Sequence, residues 1–369
     1  MNPFKYGMVV SGKDFCGRKA LLKQICNHII SSQRVVILGE RRVGKTSAVY
    51  EAIHRCKNVR FLYVDLLGIK SIDGMCRRIL KAIVVQEQKK GWFEKIFKTL
   101  AHLRPSISVD PITSLPTVSF DSSIELAADS IPEVFNLMGS LFKKQIFVVV
   151  FDEFQDILNL ADAHEALALL RGEIQFQSKI SFIFVGSIRH KMEEIFTNHD
   201  SPFFKSAITF VVDTLPHKEF SKFLKNKFSK GHREVDDMVL EKVFQISENI
   251  PGDIQQLCGA MWEITTEKEM INVDKLKDAI ELIFAREQKS YESYIRLLTN
   301  IQLKVLTAVA KQGGKQIFSA AFMKPSGFTN PSTVRRAVNR LLQLSILFES
   351  SGAYRFVNPF FRAWIIYRG

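Results

Sequence analysis

The sequence predicts an α/β fold: a parallel sheet covered by helices, then an all-helical segment, then a winged helix-turn-helix. Three observations carry this expectation. Short apolar runs at 34–38, 61–65, 146–151, 180–185 and 208–212 alternate with stretches long enough for crossover helices. Continuous apolar strands of this kind are buried on both faces, as parallel sheets are. Residues 215–287 then read as helices alone, broken at Pro251-Gly252. Last, 301–311, 318–323 and 332–344 read as three helices, and 346–348 and 354–357 flank a turn at 350–353 as a two-stranded ribbon. The expected domains are 1–214, 215–290 and 291–369.

Inside the first domain the strand–helix rhythm breaks between about 86 and 130, which we read as an insertion. Trp92, Phe93, Ile96, Phe97 and Leu100 recur at helical spacing among Lys89, Lys90, Lys95 and Lys98. A basic amphipathic helix can lie on a membrane or grip a partner, but such stripes more often pack on their own domain. After it, 104–120 holds three prolines and reads as an irregular hairpin.

Composition narrows the class. The 369 residues suffice for two or three domains, and 46% hydrophobic with 24% charged residues excludes a disordered or fibrous protein. Five scattered cysteines without a C-x-x-C pair exclude a disulfide framework and a zinc ribbon, and point to a reducing compartment. No apolar run approaches the ~18–20 residues of a membrane span, and the N-terminus lacks a signal-peptide pattern, so a cytoplasmic protein is expected.

The net charge is +13, and its distribution is uneven. Residues 295–369 carry eleven Lys and Arg against Glu349 alone. A local excess of this kind points to a polyanion partner.

One segment carries chemistry. Gly39, Glu40, Arg41, Arg42, Val43, Gly44, Lys45 and Thr46 match G-x-x-x-x-G-K-[ST], with an expected strand before and a helix, from Lys45 and Ser47 on, after. Glycines let backbone amides curl around a phosphate chain, and a helix N-terminus favours negative charge. Lys45 is expected on the β- and γ-phosphates, and Thr46 on Mg²⁺. The strand at 146–151 ends in Asp152 and Glu153: Asp152 as second tether for the metal, Glu153 as general base on the attacking water. The alternative is that both acids cap the next helix. Ser187 follows the strand at 180–185 and is a candidate for the γ-phosphate or its water, with a helix cap as its alternative. Arg189 is a weaker candidate for phosphate charge. ATP and Mg²⁺ are the expected cofactors.

Together these residues resemble the archaeal-type P-loop ATPases of the STAND group, relatives of the AAA+ origin-recognition initiators, over nearly the whole chain. Phe15, Cys16, Gly17, Arg18, Leu21 and Leu22 are similar to the family's N-terminal box, which implies that Gly17 and Arg18 sit against adenine and ribose. Asn249, Ile250, Pro251 and Gly252 resemble the lid motif, which implies that Pro251 approaches the nucleotide, bound between sheet domain and lid. Tyr354 to Pro359, with Trp364, look like the closing wing. One departure stands out: Lys205 and Ser206 occupy the place of the family's arginine before a strand. Lysine lacks the planar guanidinium fork, so slow, switch-like turnover is expected.

The resulting expectation is Mg-dependent ATP binding and slow hydrolysis that switches a basic winged-helix module. In one reading the module binds duplex DNA through Arg335, Arg336 and Arg340. In the other it packs on the ATPase core or on another protein, with no nucleic acid; a protein partner or a homo-oligomer is the corresponding expectation for the chain.

Overall fold

A computed structural model of the chain describes residues 1–86, 106–109, 116–119, 121, 126–127, 129–141, 146–350 and 352–368. It resolves into two compact units, Val9–Asp213 and Met1–Met8 with Thr214–Gly369. The amphipathic stripe at 92–100 lies outside the described residues. No helix among the described residues is long and apolar enough to cross a membrane.

The first unit runs α1 (Lys19–Ile30), β1 (Arg34–Leu38), α2 (Lys45–Arg55), β2 (Val59–Asp65), α3 (Ile72–Gln86), β3 (Ser106–Val109), β4 (Pro116–Ser119), α4 (Ser130–Leu141), β5 (Ile146–Asp152), a 3₁₀ turn (Phe154–Asn159), α5 (Ala163–Phe176), β6 (Ile180–Gly186), α6 (Arg189–Phe196) and β7 (Ile208–Val211). Five strands form one sheet in the order β2-β5-β6-β1-β7, every pairing parallel. The expected hairpin is the antiparallel pair β3–β4.

The interior strand β5, between β2 and β6, is buried from Phe147 through Asp152, on both faces. β7 is not a buried strand, as its apolar run suggests. It lies at the sheet edge with one neighbour, and Ile208 and Val211 are 41% and 46% exposed. A second correction concerns the cysteines. α1 and α2 pack together, and Cys26 and Cys56 are joined as a disulfide with their Cα atoms 5.7 Å apart. Thirty residues separate the pair, so only the packing of two helices brings them together.

The second unit begins with α7 (His217–Ser229), α8 (Asp237–Ile246), α9 (Pro251–Glu263) and α10 (Val273–Arg296). It also holds a two-residue parallel pair, β8 (Glu234–Val235) with β9 (Met270–Ile271). The helices-only reading omits that pair, because two residues are too few for an alternating pattern to register. Pro251 occupies the first turn of α9, where its missing N–H costs nothing.

Next come α11 (Asn300–Gln312), α12 (Ala320–Met323), α13 (Pro331–Gln343), β10 (Leu347–Ser350), β11 (Ala353–Phe356) and α14 (Pro359–Arg368). Three helices and an antiparallel ribbon make the expected winged helix. Thr299 and Gln302 form a reciprocal capping box that starts α11. Asn330 caps α13 through the Ser332 amide, followed by Pro331 at the first helical position. α14 anchors the module: Tyr291 of α10 packs against Phe361 and Trp364 with ring centroids 5.0 and 5.4 Å apart.

Candidate active site

Register brings the chemistry together. Leu38 pairs with Gly186, Phe151 with Phe184, and Asp65 with Asp152. The C-terminal ends of β1, β5, β6 and β2 therefore reach one edge of the sheet, where ligands of open parallel sheets gather. The loop after β1, the acids ending β5 and the serine after β6 become neighbours there.

The glycine loop has two backbone requirements. A Cβ on Gly39 would meet the Val212 carbonyl oxygen at 2.5 Å, so the loop can leave β1 only through glycine. Gly44 has φ +94°, a conformation other residues avoid, and it turns the chain into α2. Arg42 is also left-handed, at φ +64°. Val43 is buried, Glu40 half-buried, and Arg41 and Arg42 exposed. Lys45 Nζ donates to the Glu40 carbonyl at 2.8 Å, and Ser47 Oγ accepts from the Val10 amide at 3.1 Å. Lys45 is only 6% exposed. Burial pushes its ammonium down to about 8, against the pull of Glu153 and Asp152.

Thr46 Oγ1 donates to Asp152 Oδ2 at 2.7 Å. Tyr63, on β2, donates its hydroxyl to the same oxygen at 2.7 Å. Burial raises the Asp152 carboxyl above its ordinary range, while the bonds from Thr46 and Tyr63 pull it down. Burial, and then Asp152, raise the hydroxyls of Tyr63 and Tyr50.

Glu153 has φ +49° and ψ 41°. A non-glycine residue held there costs roughly 1–2 kcal/mol, and the packing beneath explains how it persists. Phe154 is fully buried, with its ring 4.6 Å from that of Phe184 and 5.7 Å from that of Phe203. The acids do not cap the following turn; Glu153 precedes it without a capping bond. Ser187 is not a cap either, since Ile188 holds that position before α6. Instead Ser187 Oγ donates to Glu153 Oε2 at 2.7 Å. Gln155 Nε2 donates to the same oxygen at 2.6 Å. Tyr63 and Gln155 are the residues that sequence reasoning missed, because neither spacing nor residue type shows where their polar ends point.

The remaining candidates separate. Gly17 and Arg18 are left-handed, at φ +73° and +60°. Arg18 Nη2 donates to the Val43 carbonyl of the glycine loop at 2.8 Å, and burial pushes its guanidinium down to about 10. Arg189 forms an exposed ion pair with Glu193, at 2.8 Å within one helix. Lys205 is left-handed at φ +49°, with its ammonium 5.1 Å from the Phe204 ring centre. Pro251 belongs to the other unit.

On α13, Val334, Ala337, Val338 and Leu341 are buried, and Arg335, Arg336 and Arg340 are exposed on other faces. Not all of the C-terminal charge faces solvent unpaired. Arg355 and Arg362 reach Glu248 at 2.9 and 3.5 Å, and Arg368 reaches Glu292 at 3.6 Å. Three of the eleven basic residues are thus matched by acids from outside the segment.

Among the described residues, no three His, Cys, Asp or Glu side chains are grouped to hold a metal by themselves. Mg²⁺ does not require such a group, since it is commonly held by one or two protein oxygens and the phosphates of its nucleotide. Thr46 Oγ1 and Asp152 Oδ2 fit that donor set, with Lys45 beside them for phosphate charge.

Residues 289–367 match a family described as a probable winged helix domain. The chain is similar in fold to the Walker-type ATPase of Pyrococcus abyssi, with 16% identity and TM-score 0.67 over 99% of each chain. It is also similar to the Aeropyrum pernix ORC1 protein solved in complex with DNA, with 12% identity and TM-score 0.55 over 97% of this chain and 94% of that one. The Aeropyrum pernix ORC2 protein in its ADP form gives 15% identity and TM-score 0.51 over 98% of each. Comparison with curated protein sequences finds no match. The chain therefore has the P-loop, AAA+-like fold of origin-recognition ATPases, with a winged helix at its C-terminal end.

Proposed function

We propose that the protein binds ATP with Mg²⁺, hydrolyses it slowly, and uses the nucleotide state to control its basic winged-helix module. The observation that carries this reading is the cluster of Lys45, Thr46, Asp152, Glu153 and Ser187 at one edge of the sheet, with Thr46 and Asp152 in direct contact. Lys45 and the loop amides would bind the phosphates, and Thr46 with Asp152 would hold the cation. Bound Mg²⁺ would offset phosphate charge. Glu153 would accept a proton from the attacking water, and Ser187 would orient Glu153 through their hydrogen bond. With Lys205 where the resembling family carries arginine, turnover is expected to be slow.

The reading extends to the other unit as 215–290 acting as a lid, with Pro251 sensing nucleotide, and 291–369 acting as the controlled module. Gly17 and Arg18 would meet adenine and ribose. Membership in the STAND group belongs to the same proposal. Nucleic acid is the favoured partner: Arg335, Arg336 and Arg340 project from α13, the helix that winged modules place in the major groove. One protein of similar fold was solved in complex with DNA. A protein partner is the second reading, favoured by the pairing of Arg355 and Arg362 with Glu248.

Steady-state ATP hydrolysis, with and without duplex DNA at low and moderate salt, tests both. Stimulation that fades with salt supports the DNA-coupled ATPase, and turnover indifferent to DNA supports the protein partner. Lys45→Ala is expected to lose ATP binding or hydrolysis, and Glu153→Gln to bind ATP and stall. Normal turnover in both variants would overturn the site.

A further inference from the structure

The geometry points to Gln155 as the positioning residue that aims the general base, an inference that rests on the reading of Glu153 given above. Gln155 is 1% exposed. Its carboxamide has different partners at its two ends. Nε2 donates to Glu153 Oε2 at 2.6 Å and lies 3.4 Å from Asp156 Oδ1. Oε1 accepts from the Ser187 amide at 3.3 Å. Only an amide satisfies both ends, because one faces carboxylates and the other an N–H. The same partners determine which end is nitrogen.

The contact spans three segments. Through Glu153 it holds the end of β5, and through Ser187 the end of β6. Through Asp156, whose Oδ2 accepts from the Gly68 amide at 2.7 Å, it reaches the loop after β2. Room for it is made on β6, where a Cβ on Gly186 would stand 2.8 Å from Gln155 Oε1. Ser187 and Gln155 thus both donate to Oε2 of Glu153. Among the described residues none donates to Oε1, and that oxygen is left to take the proton of a water. Because Glu153 sits on a left-handed backbone, its carboxylate is aimed by these two donors rather than by a relaxed local conformation.

The test compares Gln155→Met, which keeps the shape and removes the polar ends, with Gln155→Glu, Glu153→Gln and the double variant Glu153→Gln/Gln155→Met. Steady-state ATP hydrolysis and equilibrium binding of a fluorescent ATP analogue are measured. Gln155→Met is expected to lower kcat about 10- to 100-fold, as misplacement of a reacting group does, with analogue affinity within about twofold. Gln155→Glu replaces the Nε2 donor by an acceptor facing Glu153 Oε2 and is expected to lower kcat at least as much, again with analogue affinity within about twofold. The double variant is expected to be no slower than Glu153→Gln, since both changes act through one group.

Full turnover in both Gln155→Met and Gln155→Glu would overturn the inference. So would further slowing in the double variant, or loss of cooperative melting in both Gln155 variants, which would make the residue structural. Normal hydrolysis by Glu153→Gln would instead overturn Glu153 as the base. The two failures are distinguishable.

Discussion

Thr46 Oγ1 lies 2.7 Å from Asp152 Oδ2, although 106 residues separate them. β6 lies between the strands that lead into them, so the contact is made beyond the strand ends by a loop and a helix start. Tyr63 brings a third strand to the same oxygen.

Tyr63→Phe removes one of the two donors to Oδ2 of a buried carboxylate, whose other oxygen accepts from the Glu153 amide. The loss is expected to cost about 1–2 kcal/mol of support for the ionised form, or roughly 5- to 30-fold in the Mg²⁺ needed for half-maximal hydrolysis. A Mg²⁺ titration at neutral pH reads this directly, and a curve that overlays the wild type removes Tyr63 from the site.

Lys45 carries a pH prediction. Nucleotide phosphate favours the ammonium, which the nucleotide-free protein loses as pH rises through about 8. Below that value the proton is already in place; above it, binding must take one up. ATP affinity is therefore expected to fall as pH rises above 8, by at most about tenfold per pH unit. Calorimetry of ATP binding to the wild type at pH 8.5–9, in buffers of different ionisation enthalpy, should register proton uptake that is absent at pH 7. Heats independent of the buffer at pH 8.5–9 would refute the assignment.

Glu248 is the acid on which two arginines of the winged module close, with its side chain 17% exposed. Glu248→Ala is expected to lower stability by about 1–2 kcal/mol, a shift of a few degrees in Tm. Arg355→Ala should reproduce part of that loss, and the double variant should show less than the sum of the two. Additive losses in thermal melts would mean that the pair is not coupled.

Arg336→Ala and Arg340→Ala test the nucleic-acid reading. Removing an arginine that neutralises one phosphate should reduce the slope of log affinity against log salt by about 0.9 for duplex DNA. Fluorescence anisotropy across a salt series measures it. An unchanged slope in the double variant would place the DNA contact elsewhere or exclude it.

The P-loop, the acid-ended strand and the winged module are legible along the chain because each is a local pattern. Glycines at fixed offsets, an apolar run ending in Asp152 and Glu153, and caps such as Asn330 act over a few residues, so their signal survives without the fold. Strand register, helix packing and side-chain aim are different in kind, since they depend on residues far apart in sequence. The edge position of β7, the pairing of Cys26 with Cys56, the hydroxyl of Tyr63 on Asp152 and the amide of Gln155 on Glu153 arise only when the sheet is assembled. The charge excess at the C-terminus is read correctly as a sum, yet only packing shows Arg355, Arg362 and Arg368 already facing acids. Residue types and their spacing thus specify the chemistry the chain carries. Tertiary structure decides which atoms meet, because a hydrogen bond depends on distances of a few tenths of an ångström, set by the register of strands scores of residues apart.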